Sequence, residues 1–395
     1  MHHTRKIFPF LLALFLLTGC SGTAAAPDSR QSPEQPPAAA DNTEAAFTGS
    51  TGSGHIQHFD GIDSGAKDLL LAFFNCYYRS LGNLVLEDCT SLFTTQAEAR
   101  RHAAIWHTLI EIRKSSLIDL RMARYAFIVT LTDLQQDGER LYLSATEDVT
   151  VRFLATPEVD SQQFGTLHQF TLLRGEDGTW RIESHDSDDN PYYNFDYSET
   201  LGSDARLAQF LQDIALRQTE LGKTDDISSL SWDHDYDRAS AYNYMQVWID
   251  QRNRLWDAYD DVGGNCQNFG SQVLLAGGIP MDEVGDAQWF WYDHNDQDFS
   301  WINVGYFMDY AKANSGYGLV SLPEAAYYTG EVGDLLIFGD DGFNHTTVIA
   351  DVISDTSGQT VDYLVCSNTS NYRNFPASAY YYTRQWLVRI LGWND

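Results

Sequence analysis

The sequence predicts an α+β fold built as two successive units, each with helices ahead of antiparallel strands. Three observations predict it. Apolar residues recur first at helical spacing and then, from about Leu117, at every second position. Asp137-Gly138 and Asp177-Gly178 punctuate the alternating segments as hairpin turns. Beyond about Ser231 the order begins again, with helical patterning before strands. Helices followed by runs of strands favour segregated α+β layers over alternating βαβ units. A chain of 395 residues is long enough for two cores.

At the N-terminus, Arg5 and Lys6 precede an apolar run from Ile7 to Leu17 that is short for a bilayer span, then Thr18-Gly19-Cys20. This is the pattern of a secretory signal, and Leu17-Thr18-Gly19-Cys20 resembles a bacterial lipobox. The resemblance implies cleavage after residue 19 and lipidation of Cys20. The chain is then expected to be extracytoplasmic and anchored to the bacterial cell membrane through acyl chains. An ordinary signal peptide with an incidental cysteine is the blander alternative. Residues 20–60, rich in Ala, Ser, Thr, Gly, Pro, Glu and Gln, read as a disordered tether with too little apolar surface to offset the entropy of ordering.

The first unit is assigned to residues 61–190. Ser64 is read as the cap of a helix running to about Tyr78, and a second helix covers about Gln96 to Lys114, with Ala99, Ala103, Trp106 and Ile110 at helical spacing. Strands follow at 124–131, 141–144 and 149–153, and a hairpin joins 168–173 to 180–182. Cys76 and Cys89 can pair as a disulfide or be two separately buried thiols. His168, His185, Asp186 and Asp188 match no metal-ligand spacing and read as solvent-facing polar residues. A partly helical linker covers 191–230, its helix from about Asp204 to Leu221 ending at Gly222.

The second unit, 231–395, opens with a helical stretch from Asp237. Gly263-Gly264 then allow a tight turn before Asn265-Cys266-Gln267-Asn268, which leads into a helix ending at Gly277-Gly278. That places Cys266 near a helix N-terminus, where free amides and the helix dipole favour a thiolate and face an oxyanion. His345 is read as the first residue of a strand, at a rim where its imidazole can meet the thiol. Asn368, after the next strand, is read as holding the distal ring nitrogen. Asn268 is a candidate support for the loop. Ser271 and Gln272 are as well explained by packing as by substrate contact. Trp289, Trp291 and Trp301 fit either a groove or a core, and Asp293, His294, Asp296 and Asp298 read as an acidic loop. No cofactor or metal is expected.

Charge narrows the partners. Asp plus Glu number 55 against 25 Lys plus Arg, a formal charge of -30, so no cationic surplus exists to displace counterions from a nucleic acid. Polybasic attachment to anionic lipid is disfavoured on the same ground.

Two resemblances refine the reading. The hairpin at the end of the first unit weakly resembles NTF2-like or cystatin-like domains, a shape that leaves function and protein partner open. In the second unit, Asp237-Arg238, Ala241 and Tyr244, the run from Gly263 to Gln272, and Ala276 to Met281 resemble the family known as the putative amidase domain of secreted and lipid-anchored proteins of Gram-positive bacteria. Ser300 to Val304, Gly333-Asp334 and His345 fit its later landmarks. The resemblance implies a papain-like cysteine hydrolase, with Cys266, His345 and Asn368 catalytic and Asn265, Gln267, Asn268, Ser271 and Gln272 supporting. The family pattern has Asp at position 265, Thr at 267 and His at 368, so this chain departs from it beside the thiol. The expected function is a cell-surface amide or peptide hydrolase, with peptidoglycan peptides the natural substrate class. A catalytically inactive module that binds wall peptides or a protein partner is the alternative.

Overall fold

The computed structural model describes residues 47–59, 62–189, 191–192, 204–340 and 342–395. The signal, the lipobox and Cys20 lie outside them. The architecture is α+β, with seven helices and one large mixed sheet among the described residues.

The first half holds β1 (Thr51–Gln57), α1 (Ser64–Asn83), α2 (Gln96–Lys114) and four long strands, β2 (Met122–Asp137), β3 (Arg140–Phe153), β4 (Ser161–Arg174) and β5 (Trp180–Ser187). The cap of α1 is Asp63, not Ser64: its carboxylate accepts the Gly65 N–H at 2.8 Å. Thr95 caps α2 through the Glu98 N–H. Leu70, Phe73 and Phe74 of α1 and Ile105, Trp106 and Leu109 of α2 are buried with the sheet residues Phe127, Val151, Phe170 and Ile182. Cys76 and Cys89 form a disulfide.

Two readings change here. Thr51–Gln57, assigned to the tether, is a strand parallel to β2. Gly52 and Gly54 make this possible, because a Cβ at either would lie 1.9 Å from the ring of Tyr125 or Phe127. The aromatic rings occupy the space that side chains would need, and Ile56 buries itself beyond them. The second change concerns His168 and His185, which are buried, whereas Asp186 and Asp188 are exposed. Strand alternation turns the two histidines inward.

The second half contains α3 (Asp204–Gln218), β6 (His234–Asp235), α4 (Arg238–Trp248), α5 (Cys266–Ala276), β7 (Trp291–Asp293), β8 (Asp296–Gln297), α6 (Phe299–Ile302), α7 (Val304–Ala313) and the strands β9 (Gly318–Ala325), β10 (Leu335–Gly339), β11 (His345–Ser354), β12 (Thr360–Ser367), β13 (Asn371–Pro376) and β14 (Arg384–Asn394). The twelve-stranded sheet runs β1-β2-β3-β4-β13-β12-β11-β10-β14-β6, with β5 also on β4 and β9 also on β14. Strand β4 is shared along its length. Its first residues pair with Asn371–Arg373 of β13, and its later ones with β5. The sheet is therefore continuous through both halves.

The alternation of this sheet decides what faces the site. Leu335, Ile337, Val348, Ala350, Cys366, Val388 and Ile390 join the core beneath α5, with Phe269, Val273 and Leu274. Leu336, Phe338, Ile349, Tyr363 and Val365 join the core shared with the first half.

Candidate active site

Gly263 and Gly264 both take positive φ, 125° and 107°, which an L side chain adopts only with strain. Their turn sets Asn265 just ahead of α5 and makes Cys266 its first residue. The Asn265 N–H donates to Thr369 Oγ1 at 2.6 Å. Its side-chain oxygen accepts from the Tyr259 N–H at 3.1 Å and from Asn268 Nδ2 at 2.8 Å. Asn268 also donates to the Asp257 carbonyl and accepts the Trp301 indole N–H at 3.0 Å. The loop before the thiol is thus held by amide side chains that are themselves buried.

On the sheet side, Gln267 accepts from Thr346 Oγ1 at 2.7 Å and donates to Ser271 Oγ at 3.2 Å. Ser271 donates to the Trp301 carbonyl and accepts from Trp289 Nε1. Gly270 lets the helix approach β11, since a Cβ there would sit 3.0 Å from Thr346 Cγ2. Gln272 accepts the Tyr244 hydroxyl at 2.7 Å. Ser271 and Gln272 therefore tie α5 to its neighbours. Trp289, Trp291 and Trp301 are buried in the same core, and Asp298 caps α6.

The thiol is buried, and burial raises its pKa from the ordinary value. Opposing this, the backbone N–H groups of Thr346, Gln267 and Cys266 itself favour the thiolate, while Asp260 adds to the rise. Burial prevails, so the helix start does not yield a low-pKa thiolate in this arrangement.

His345 is the expected base. Burial brings its pKa down to about 4, so the ring is neutral at pH 7. Its neighbour Thr346 points at α5 through the bond to Gln267, and successive strand residues point to opposite faces. The imidazole accordingly leaves β11 on the other face. It packs with Phe338, Tyr380 and Tyr382, at centroid distances of 6.3, 6.2 and 6.3 Å. Its Nε2 is buried without a hydrogen-bond partner. Among the described residues no hydrogen bond joins it to Cys266.

Asn368 also departs from its expected position. Its side-chain oxygen accepts from Asn265 Nδ2 at 3.0 Å, and its Nδ2 donates to the Ile249 carbonyl at 3.0 Å. Both ends of the amide are committed beside the thiol loop, and neither holds the imidazole. Cys366 is buried, with its pKa pushed up to about 12 by burial.

The structure thus gathers Cys266, Asn265, Gln267, Asn268, Ser271 and Asn368 around the start of α5 and leaves His345 across the strand. Sequence reasoning missed Thr346, Tyr259 and Thr369, which position the thiol. No sequence signal marked Thr346, because Val348 and Ile349 are both apolar and both faces of β11 are buried there. Among the described residues no group of three or more His, Cys, Asp or Glu is placed to hold a metal ion.

Comparison with known proteins agrees with the second-half motifs. Residues 235–390 match the family described as the Putative amidase domain, which makes this part of the chain amidase-like. An uncharacterized protein of Bacillus subtilis strain 168, YhbB, is 33% identical over 118 residues, 29% of this chain. The match spans 37% of that protein, little more than a third of its length.

Proposed function

We propose that the chain is a cell-surface, thiol-dependent amide hydrolase, with the site in a resting arrangement. The observation that carries this reading is the set of backbone amides facing Cys266 at the start of α5, within the amidase-like segment. Donors that favour a thiolate also suit the oxyanion of a tetrahedral intermediate. In the reaction, the sulfur attacks the amide carbonyl and its proton passes to His345. The imidazole then delivers that proton to the departing amine, and water cleaves the thioester to regenerate the thiol. This sequence requires His345 to reach the α5 side, by a turn of the backbone where Asn344 enters β11. Substrate bound at the rim is the agent that would favour this turn.

The expected address, outside the membrane and tethered through Cys20, makes peptidoglycan stem and cross-link peptides the proposed substrates. A specific observation favours a second reading: Asn368 is bonded to Asn265 and not to the imidazole. On that reading the domain grips wall peptides without cutting them.

The test is iodoacetamide alkylation of the full chain in detergent from pH 6 to 9, with and without soluble peptidoglycan fragments, mapped to the Cys266 peptide. The hydrolase reading expects slow reaction alone, faster reaction with fragments, and loss of that gain in His345→Ala. It also expects release of new amino groups that Cys266→Ala abolishes. Fragments that bind without any such release would transfer the assignment to the binding module. Neither binding nor release would overturn both.

A further inference from the structure

The interior of the first half holds a line of titratable side chains that the amidase-like site does not use. His102 of α2 places Nδ1 at 3.0 Å from the Glu98 carbonyl and Nε2 at 3.0 Å from His185 Nδ1. His185 of β5 continues through Nε2 to His168 Nδ1, again at 3.0 Å. His168 of β4 ends the line with Nε2 at 3.2 Å from Glu147 Oε2, on β3. All four residues are buried, the most exposed at 4%. The line crosses three adjacent strands and enters a helix.

Counting protons fixes its state. The line contains four hydrogen bonds, and each needs one proton. Three neutral imidazoles supply one each, and a carboxylate supplies none. The Glu98 carbonyl can only accept, so His102 must carry Nδ1–H. Its Nε2 then accepts from His185, whose Nε2 accepts from His168, whose Nε2 is left facing Glu147. A fourth proton must lie in that last link, on the carboxyl or on the ring. With it the cluster is neutral overall. Without it, two acceptors face each other around a buried negative charge, which is costly.

We propose that this His102–His185–His168–Glu147 line is a proton-operated latch that fastens α2 to the sheet and opens when its one extra proton is lost. Groups facing it from the surrounding elements are consistent with one proton and no more. From α1, Tyr78 has its phenol pKa raised by burial and then by the Glu147 charge. From α2, Glu98 lies 3.7 Å from His102 Nδ1, and Arg101 donates to the His185 carbonyl at 2.7 Å. Beyond β5, exposed Asp186 is 3.9 Å from Arg101. Exposed Asp188 follows β5, and buried Asp189 has its pKa pushed up to about 6 by burial. Tyr192 lies against the rings of His102 and His185. A second added proton is opposed at His185, whose pKa is lowered well below the ordinary value by burial and then by its two histidine neighbours.

The sign of the response follows. Where the four links are intact the folded chain keeps the fourth proton, whereas the solvated unfolded chain has no bond that requires it. Unfolding then releases it, and stability falls as pH rises. Glu147→Gln separates this from other alkaline effects, because the amide brings its own N–H to His168 Nε2 and needs no added proton. The experiment compares denaturant unfolding of the full chain in detergent with that of Glu147→Gln from pH 7 to 9. The expected result is that the wild-type unfolding constant gains close to tenfold per pH unit relative to the variant. Parallel pH profiles would overturn the proposal. If the variant does not fold, nitrogen-15 NMR of the histidine rings in the wild-type chain at pH 8 decides. Nδ1–H on all three rings and a fourth proton resonance in the final link support the latch; protons in only three of the four links overturn it.

Discussion

Replacing Arg238 with Met tests what the Asp-Arg pair at the entry to α4 is for. Asp237 caps the helix, accepting from the Ala239 and Ser240 N–H groups. Arg238 does something different. Its guanidinium donates to the Val332 carbonyl at 2.7 Å, to Asp334 Oδ1 at 2.8 Å and to the Ile390 carbonyl at 2.7 Å. Asp334 is fully buried and also accepts the Ile390 and Glu331 N–H groups, each at 2.9 Å. The Arg238–Asp334 ion pair, with a second to exposed Glu331 at 3.1 Å, therefore joins the helix entry to the residue before β10 and to β14. Arg238→Met leaves a buried carboxylate without its cation and two carbonyls without a donor. Breaking a buried pair costs about 3–5 kcal/mol, and the side chain's 26% exposure argues for the lower end, about 3 kcal/mol. The pH dependence is diagnostic. Burial already raises the Asp334 pKa while Arg238 lowers it, so the variant's carboxyl titrates higher still. A raised folded pKa means the penalty is full at high pH and shrinks as protonation neutralises the site. Urea unfolding at pH 7 and pH 5 should show the smaller deficit at pH 5. Arg238→Met with Asp334→Asn should cost less than Arg238→Met alone at pH 7, because no buried charge remains. A deficit below about 1 kcal/mol, or one equal at both pH values, would refute the reasoning.

Three further outcomes are expected. Replacing both Cys76 and Cys89 with Ser opens a loop with a sequence separation of 13, and should cost about 3 kcal/mol in denaturant unfolding; a change under ~0.5 kcal/mol would remove the disulfide from the account of stability. Gly277→Ala would put a Cβ 2.0 Å from the Tyr236 ring, so a loss of about 1–3 kcal/mol is expected, relieved in a Tyr236→Leu background; no relief would place the strain elsewhere. Cys366, buried and with its pKa near 12, should stay silent to a disulfide reagent at pH 8 until the chain unfolds, and prompt reaction in the native protein would contradict its burial.

The α+β class and the helix that begins at Cys266 were legible because both rest on local signals: periodicity, Asp-Gly turns, and the Gly263-Gly264 turn with its positive φ. Side-chain direction was not. Whether His345 or Thr346 faces α5 is a one-residue question of strand parity, and the run His345-Thr346-Thr347 contains no apolar residue to mark the inner face. The same difficulty hid the first-half histidines. His168 and His185 look polar in sequence, yet alternate with exposed residues in strands whose inner face is aromatic. Thr51–Gln57 was missed for another reason. Its glycines read as tether until Tyr125 and Phe127 of the neighbouring strand are seen to fill the space above them.

Two departures from the amidase-family pattern beside the thiol meet in one hydrogen bond. The family pattern resembled by this segment has Asp before the cysteine and His at the later position; here both are Asn, and Asn265 Nδ2 donates to Asn368 Oδ1 at 3.0 Å. A neutral amide pair stands where the pattern has an acid and an imidazole. Position 267 shows the same logic, since Gln267 reaches Thr346 while Gly270 leaves room for the Thr346 methyl. If Asn265 and Asn368 form one unit, restoring either family residue alone should be harmful. In Asn265→Asp, one carboxylate oxygen keeps the Tyr259 and Asn268 donors, but the other confronts Asn368 Oδ1, whose amide is fixed by its bond to the Ile249 carbonyl. An unpaired buried acceptor costs about 1–3 kcal/mol, more when charged. In Asn368→His, the Asn265 Nδ2 and the Ile249 carbonyl lose their present partners. Together, the acid and the ring can bond to each other, so the double variant should recover about 1–3 kcal/mol relative to the sum of the singles. Urea unfolding of the four proteins at pH 7 measures that coupling. Additive costs would mean that position 368 has no link to the residue before the thiol, and the search for an imidazole-orienting role for Asn368 would have to be reopened.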